Sequence, residues 1–217
     1  MRSESRCAAT IESLEPRRLL STSLADGVLT IIGSNRGDRI EIIRRDDDGQ
    51  IRVELNGTQT RVRFGEVNRI RVSGRGGHDF IEYSGRDGGL VFPADVSGGK
   101  GNDTIRTGHG HDTISGGNGH DRIEAGAGHD LISGGNGDDV IEGGDGNDTL
   151  HGEAGNDDLN GNRHADYLAG GAGDDDLFGG RDLDRVWGNV GDDDFGPDRV
   201  LEIRDHNNDD RGNNVNR

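Results

Sequence analysis

The sequence predicts an all-β chain: a parallel β-roll (a β-solenoid) in which two nine-residue repeats make one coil, preceded by a β-rich N-terminal capping region. Three observations predict it. From Gly98 to Gly196 the chain reads in nines without a gap. Every nonapeptide carries one apolar residue at a fixed place with polar neighbours, the alternation of a half-buried strand. Glycine, 40 of 217 residues, gathers between those strand positions, where the backbone must turn.

The blocks are GGKGNDTIR, TGHGHDTIS, GGNGHDRIE, AGAGHDLIS, GGNGDDVIE, GGDGNDTLH, GEAGNDDLN, GNRHADYLA, GGAGDDDLF, GGRDLDRVW and GNVGDDDFG. Position six is Asp in all eleven: Asp103, Asp112, Asp121, Asp130, Asp139, Asp148, Asp157, Asp166, Asp175, Asp184 and Asp193. Position eight is always apolar: Ile105, Ile114, Ile123, Ile132, Ile141, Leu150, Leu159, Leu168, Leu177, Val186 and Phe195. Position four is Gly in nine blocks, with His164 and Asp182 as exceptions. Only 28% of residues are hydrophobic and the net charge is -17, a balance that also fits a disordered chain. A disordered tract, however, has no reason to hold one phase across 99 residues.

This pattern resembles the RTX, or haemolysin-type, calcium-binding nonapeptide repeat of bacterial secreted proteins, as in the serralysin-like parallel β-roll. Eleven in-phase copies make the resemblance specific, and it covers about half the chain. It implies a right-handed roll, calcium as the bound ion, and Asp at position six as ligand, with help from carbonyls at positions two and four. Carried over, those carbonyls belong to Gly99, Gly101, Gly108, Gly110, Gly117, Gly119, Gly126, Gly128, Gly135, Gly137, Gly144 and Gly146. The consensus frays between 161 and 196, where Asn162, His164, Asp182, Leu183 and Asn189 replace the usual residues. Sites there are expected to be weaker.

The residue chemistry agrees with this assignment. A three-residue segment around position eight makes one short strand, its apolar side chain inward and neighbours such as Thr104, Arg106, Arg122 and Glu124 outward. Residues 18 apart then stack at about one strand spacing, ~4.8 Å. One Asp column runs 103, 121, 139, 157, 175, 193; the other runs 112, 130, 148, 166, 184. Two carboxylates ~5 Å apart repel by roughly 0.8 kcal/mol in water and by several-fold more in a partly dry turn. A hard cation between them reverses the sign, and calcium accepts carboxylates together with backbone carbonyls, whereas magnesium demands stricter octahedral geometry. Five gaps in one column and four in the other allow at most nine inter-coil calcium sites. Each repeat buries one aliphatic side chain, worth about 1.5–3 kcal/mol. Ordering nine residues costs on the order of 9–18 kcal/mol of backbone entropy. The repeats are therefore expected to fold on binding calcium.

Residues 24–97 carry strand-like alternation in VLTII (28–32), RIEII (39–43), QIRVEL (50–55), TRVRF (60–64) and RIRVS (69–73). RRDDDG and LNGTQ read as turns. Two degenerate nonapeptides appear, GSNRGDRIE (33–41) and GRGGHDFIE (74–82); Asp38 and Asp79, at the equivalent of position six, read as turn acids that bind no metal. The region is expected to cap the N-terminal edge of the roll, with a separate small β-sandwich as the alternative. Residues 1–23 read as a polar leader, disordered or a sorting segment. Within it ESLEPRRLLS (12–21) resembles a short LEPRxLL-like motif of predicted exported bacterial proteins. In 197–217, RVLEI (199–203) is expected to form a last strand before a disordered tail.

Chemistry is limited as much by what the sequence lacks. Cys7 is the only cysteine, so neither an internal disulfide nor a Cys-based zinc site is available. No HExxH, GxSxG or Walker-type lysine loop occurs, and Lys100 is the only lysine. The acidic balance disfavours nucleic acid and anionic membrane surfaces, and no apolar run has the length of a membrane span. His111 and His129, at position five one coil apart, are read as variable outward turn residues rather than a zinc or copper site. Trp187 and Phe178, both at position nine, are expected to lie near each other. The expected function is calcium binding by a non-enzymatic structural or adhesive module, secreted or on the bacterial surface, whose partners are calcium and cell-surface or matrix macromolecules. The alternative is an accessory module of an extracellular enzyme or toxin, which would place an active site in 24–97.

Overall fold

A computed structural model describes residues 20–45, 49–85, 90–196 and 200–205. In chain order its N-terminal strands are β1 (Ser21–Ala25), β2 (Val28–Ile32), β3 (Arg39–Arg45), β4 (Gln50–Leu55), β5 (Thr58–Arg63), β6 (Arg69–Gly76), β7 (Phe80–Gly85) and β8 (Ala94–Lys100). The repeats contribute β9 (Thr104–Arg106), β10 (Thr113–Asn118), β11 (Arg122–Ala127), β12 (Leu131–Asn136), β13 (Val140–Asp145) and β14 (Thr149–Ala154). They continue with β15 (Asp158–Arg163), β16 (Tyr167–Ala172), β17 (Asp176–Phe178), β18 (Asp184–Val190) and β19 (Asp194–Phe195), and β20 (Val200–Asp205) follows.

These strands form two sheets, ordered β1-β2-β6-β8-β10-β12-β14-β16-β18-β20 and β19-β17-β15-β13-β11-β9-β7-β3-β4-β5. From β6 onward successive strands alternate between sheets, so two nonapeptides close one coil of a parallel β-roll. Within the repeats the register is 18 residues: Ile114 pairs with Ile132, Ile132 with Leu150, and Ile123 with Ile141. The position-eight side chains thereby stack into two aliphatic columns that face each other, and those from Ile105 to Val186 are buried. Outward neighbours pair along the stack as well. Arg106 reaches Glu124, and Arg122 bridges Glu124 and Glu142.

The strands of the repeats are longer than three residues. Most run for six, covering positions seven to nine and then positions one to three of the next repeat. Glycines one and two thus lie within the strand, and only positions four to six form the turn. Alternation along the strand points position eight and the following position-one glycine inward.

Region 24–97 shares both sheets with the repeats, because β6 and β7 pair in parallel with β8 and β9. Its two outermost layers are antiparallel hairpins, β1–β2 on one sheet and β3–β4–β5 on the other. Asp26-Gly27 and Asn56-Gly57 make the turns, each with both residues at positive φ, as two-residue hairpin turns of the primed type require. β1 includes Ser21 to Ser23, which the sequence had placed in the leader, because Ser21 to Ala25 pair residue by residue with Ile32 to Val28. The core is richer here than in the repeats. Leu29 and Ile31 stack on Ile70 and Val72, and Ile40 and Ile42 face Leu55 and Val53, giving two inward apolar residues per strand. β20 pairs in parallel with β18 as the expected last strand. The motif at 12–21 and the tail beyond 205 lie outside the described residues, apart from its last two positions.

Candidate metal columns

Position six places its carboxylate under the turn, where the strand register decides its surroundings. Every position-six Asp is buried. One oxygen, Oδ1, accepts the backbone N–H of the Asp one coil earlier. On one side the chain of bonds runs Asp103 to Asp121, Asp121 to Asp139, Asp139 to Asp157, Asp157 to Asp175 and Asp175 to Asp193, at 2.7, 2.7, 2.8, 2.9 and 3.1 Å. On the other, Asp112, Asp130, Asp148 and Asp166 donate in the same way to Asp130, Asp148, Asp166 and Asp184, at 2.8 to 2.9 Å. The two columns expected from the 18-residue period are therefore continuous hydrogen-bonded ladders.

The second oxygen has a different environment. Oδ2 of Asp103, Asp121, Asp130, Asp139, Asp148, Asp157, Asp166 and Asp175 is shut away from solvent with no donor within reach. For Asp103, Asp121, Asp139, Asp148, Asp157 and Asp166 it lies over the inward position-one glycine of its own repeat, beside the position-one carbonyl of the next coil; the repeat of Asp130 has Ala125 at that position. A Cβ on Gly134 would stand 3.0 Å from the Gly152 carbonyl and collide with Asp139 Oδ2; Gly116, Gly143 and Gly152 repeat the arrangement. Position one is glycine in nine of the eleven blocks, and Thr107 and Ala125 are the two that carry a Cβ there. Turn carbonyls also point up the stack: a Cβ on Gly117 or Gly119 would strike the carbonyl of Gly99 or Gly101, and one on Gly135 or Gly137 that of Gly117 or Gly119. Gly99, Gly101, Gly117, Gly119, Gly126, Gly135, Gly137, Gly144 and Gly146 all take positive φ, whereas Gly108, Gly110 and Gly128 do not.

Such a row of buried oxygens without donors is electrostatically unfavourable as it stands. Desolvation is the largest cause in each case. It raises the carboxyls of Asp103 and Asp157 to about 6 and those of Asp130, Asp139 and Asp175 to about 7. Asp166 rises to about 8, with Asp148 and Asp184 adding like-charge repulsion. Asp112, Asp121 and Asp148 shift upward from the same cause. The columns can be relieved by protons or by hard cations. Among the described residues no three His, Cys, Asp or Glu side chains gather into a ligand cluster. A cation here must complete its shell with backbone oxygens, which suits calcium, with six to eight mixed oxygen ligands, better than zinc.

Where the consensus frays, the backbone does not. Glu153, Asn162, His164, Asp182 and Asn189 replace glycine at positions two or four, yet each keeps a positive φ between 74 and 84°. Asn and Asp accept this conformation more readily than other non-glycine residues.

Position five, read from the sequence as variable, is constrained. Its side chain accepts the position-five N–H of the next coil. The series runs from Asn102 N–H on His78 Nδ1 through His120 on Asn102, Asp138 on His120 and Asn156 on Asp138, then Asp174 on Asn156 and Asp192 on Asp174. On the other side His129 donates to His111 Nδ1 and Asn147 to His129 Nδ1, with the two imidazoles stacked at 5.0 Å. Only Asn, Asp and His have an acceptor at this short reach, and they fill nine of the eleven blocks. These imidazoles are structural acceptors, and their Nδ1 atoms are committed. Trp187 and Phe178 lie on opposite sheets, in β18 and β17, because successive repeats alternate; Trp187 instead meets Tyr167 edge-on at 4.3 Å.

Comparison with known proteins gives one family. Residues 95–123, 124–159, 133–168 and 160–195 match the RTX calcium-binding nonapeptide repeat. No curated protein and no solved structure matches the chain. Among the described residues no helix is long and apolar enough to cross a membrane. Residues 95–195 are thus a tract of RTX calcium-binding nonapeptide repeats, wound as a two-sheet parallel β-roll.

Proposed function

We propose that the chain is a non-catalytic calcium-binding module, structural or adhesive, that works outside the bacterial cell or on its surface and whose repeats fold as calcium binds. The observation that carries this reading is the file of buried Oδ2 atoms without donors beside glycine carbonyls. Position-six Asp of adjacent coils supply the carboxylates, Asp103 to Asp193 on one side and Asp112 to Asp184 on the other, and turn carbonyls complete each shell. Up to nine ions would be held. Weak sites of this class fill at the millimolar calcium of the extracellular medium. The low calcium of a cytoplasm would leave the repeats unfolded until export.

Equilibrium dialysis of the purified chain against calcium, paired with fractionation of the producing cells, tests this. The expected result is several calcium ions per chain, with the folded form recovered outside the cytoplasm. A folded, calcium-free protein recovered from the cytoplasm would contradict it. The accessory-enzyme reading would require activity on esters or polysaccharides that is lost through substitutions confined to 24–97.

A further inference from the structure

The Asp ladder does not begin where the matched repeats begin. Asp79 donates its N–H to Asp103 Oδ1 at 2.7 Å, across 24 residues of chain, and Asp38 donates to Asp79 Oδ1 at 2.7 Å, across 41. Insertions hide the period, but the column continues for two more coils. The two added members then differ in their second oxygen.

Asp79 is 2% exposed, and its Oδ2 is buried with no donor, as in the repeats. The atom lies over Gly74 beside the Gly98 carbonyl, both of which a Cβ on Gly74 would strike. The turn has the repeat geometry too: Arg75 and Gly77, at positions two and four, take positive φ, and their carbonyls crowd Gly99 and Gly101. Asp38 is also buried, but its carboxylate is saturated by the protein. Oδ2 accepts the Ser34 N–H at 2.5 Å and the Ser34 hydroxyl at 3.0 Å, and Oδ1 accepts the Asn56 side-chain amide at 2.6 Å. A Cβ on Gly33 would still meet Asp38 Oδ2 and the Gly74 carbonyl, but no residue from 33 to 38 has a positive φ, so the turn carbonyls of positions two and four are not presented as in the repeats. The other column stops sooner, because Ala94 stands where an Asp would precede Asp112 and supplies only its N–H.

We propose that the gap between Asp79 and Asp103 is an additional calcium site, outside the matched repeats, and that the column ends at Asp38, where Ser34 and Asn56 take the place of the ion. The upper limit then becomes ten sites rather than nine, and the coil that carries Asp38 closes without metal. This rests on the calcium reading of the repeats.

The test is calcium bound per chain at saturation for the wild type, Asp79→Asn and Asp38→Asn, with amide hydrogen exchange followed over residues 74–82. Asparagine is isosteric, and its carbonyl oxygen can keep the Asp38 N–H bond. The expected result is one ion fewer in Asp79→Asn, no change in Asp38→Asn, and calcium-dependent protection of 74–82 in the wild type. An undiminished count in Asp79→Asn, or a loss in Asp38→Asn, overturns the assignment. So does exchange at 74–82 that ignores calcium while 112–184 responds, an outcome read on the wild type alone. A wild-type chain that binds no calcium at all would instead overturn the function proposed above.

Discussion

Freed of metal, the roll is expected to gain stability on acidification, opposite to the usual behaviour of a protein rich in paired carboxylates. The carboxyls of Asp79, Asp103, Asp130, Asp139, Asp157, Asp166 and Asp175 stand between about 6 and about 8 in the folded chain. In the unfolded chain each titrates near 3.9. Between those values the folded state holds more protons, so by linkage stability falls as pH rises. It is fully present below about pH 4 and lost as pH climbs through 6 to 8. With calcium saturating, protons compete with the ion for the same oxygens, and the slope reverses. In chelator the β signal of the repeats should therefore be larger at pH 5 than at pH 8, whereas with calcium saturating the melting temperature should fall from pH 8 to pH 5. Even ~1 kcal/mol moves the midpoint of a domain this size by about 2–4 °C. A β signal in chelator that falls on acidification would contradict this.

Asp139→Ala is expected to cost two calcium ions, because Asp139 borders two gaps, toward Asp121 and toward Asp157. It also removes the acceptor for the Asp121 N–H, whose bond of 2.7 Å is buried. An orphaned buried donor costs about 1–3 kcal/mol. The neighbouring Asp138→Ala removes an exposed acceptor for Asn156 and an exposed contact with His120, and should leave the ion count unchanged. Calorimetric titration of the two variants compares residues one apart in sequence that face opposite ways. Equal losses from both would mean that net charge, rather than the column, binds the ion.

The parts of this structure that depend on side-chain identity at a fixed phase were legible in the sequence. Aspartate at position six and an apolar residue at position eight recur without exception, and the 18-residue register follows from placing both inward. The extension of each strand through positions one to three was not legible, because the glycines at one and two have little strand propensity. They pair there because the coils above and below hold them. Position five appeared variable because Asn, Asp and His differ in charge and shape. What they share is one acceptor at a fixed reach, and that is what the stacked N–H selects. The continuation of the ladder to Asp79 was hidden for another reason. A fixed-period reading loses phase across the 24-residue interval to Asp103 and the 41-residue one from Asp38, while the folded register restores it. β1 had a usable signal in Asp26-Gly27, a hairpin turn pair, which the polar STSLA segment obscured.

The central claim is that calcium in the position-six columns organises the roll. Far-UV circular dichroism of the chelator-treated chain at neutral pH, titrated with calcium and in parallel with magnesium, tests it most directly. The account predicts a cooperative gain of β signal with calcium alone, added to a smaller signal already present from the richer core of 24–97. A full β signal in excess chelator that calcium leaves unchanged would contradict it.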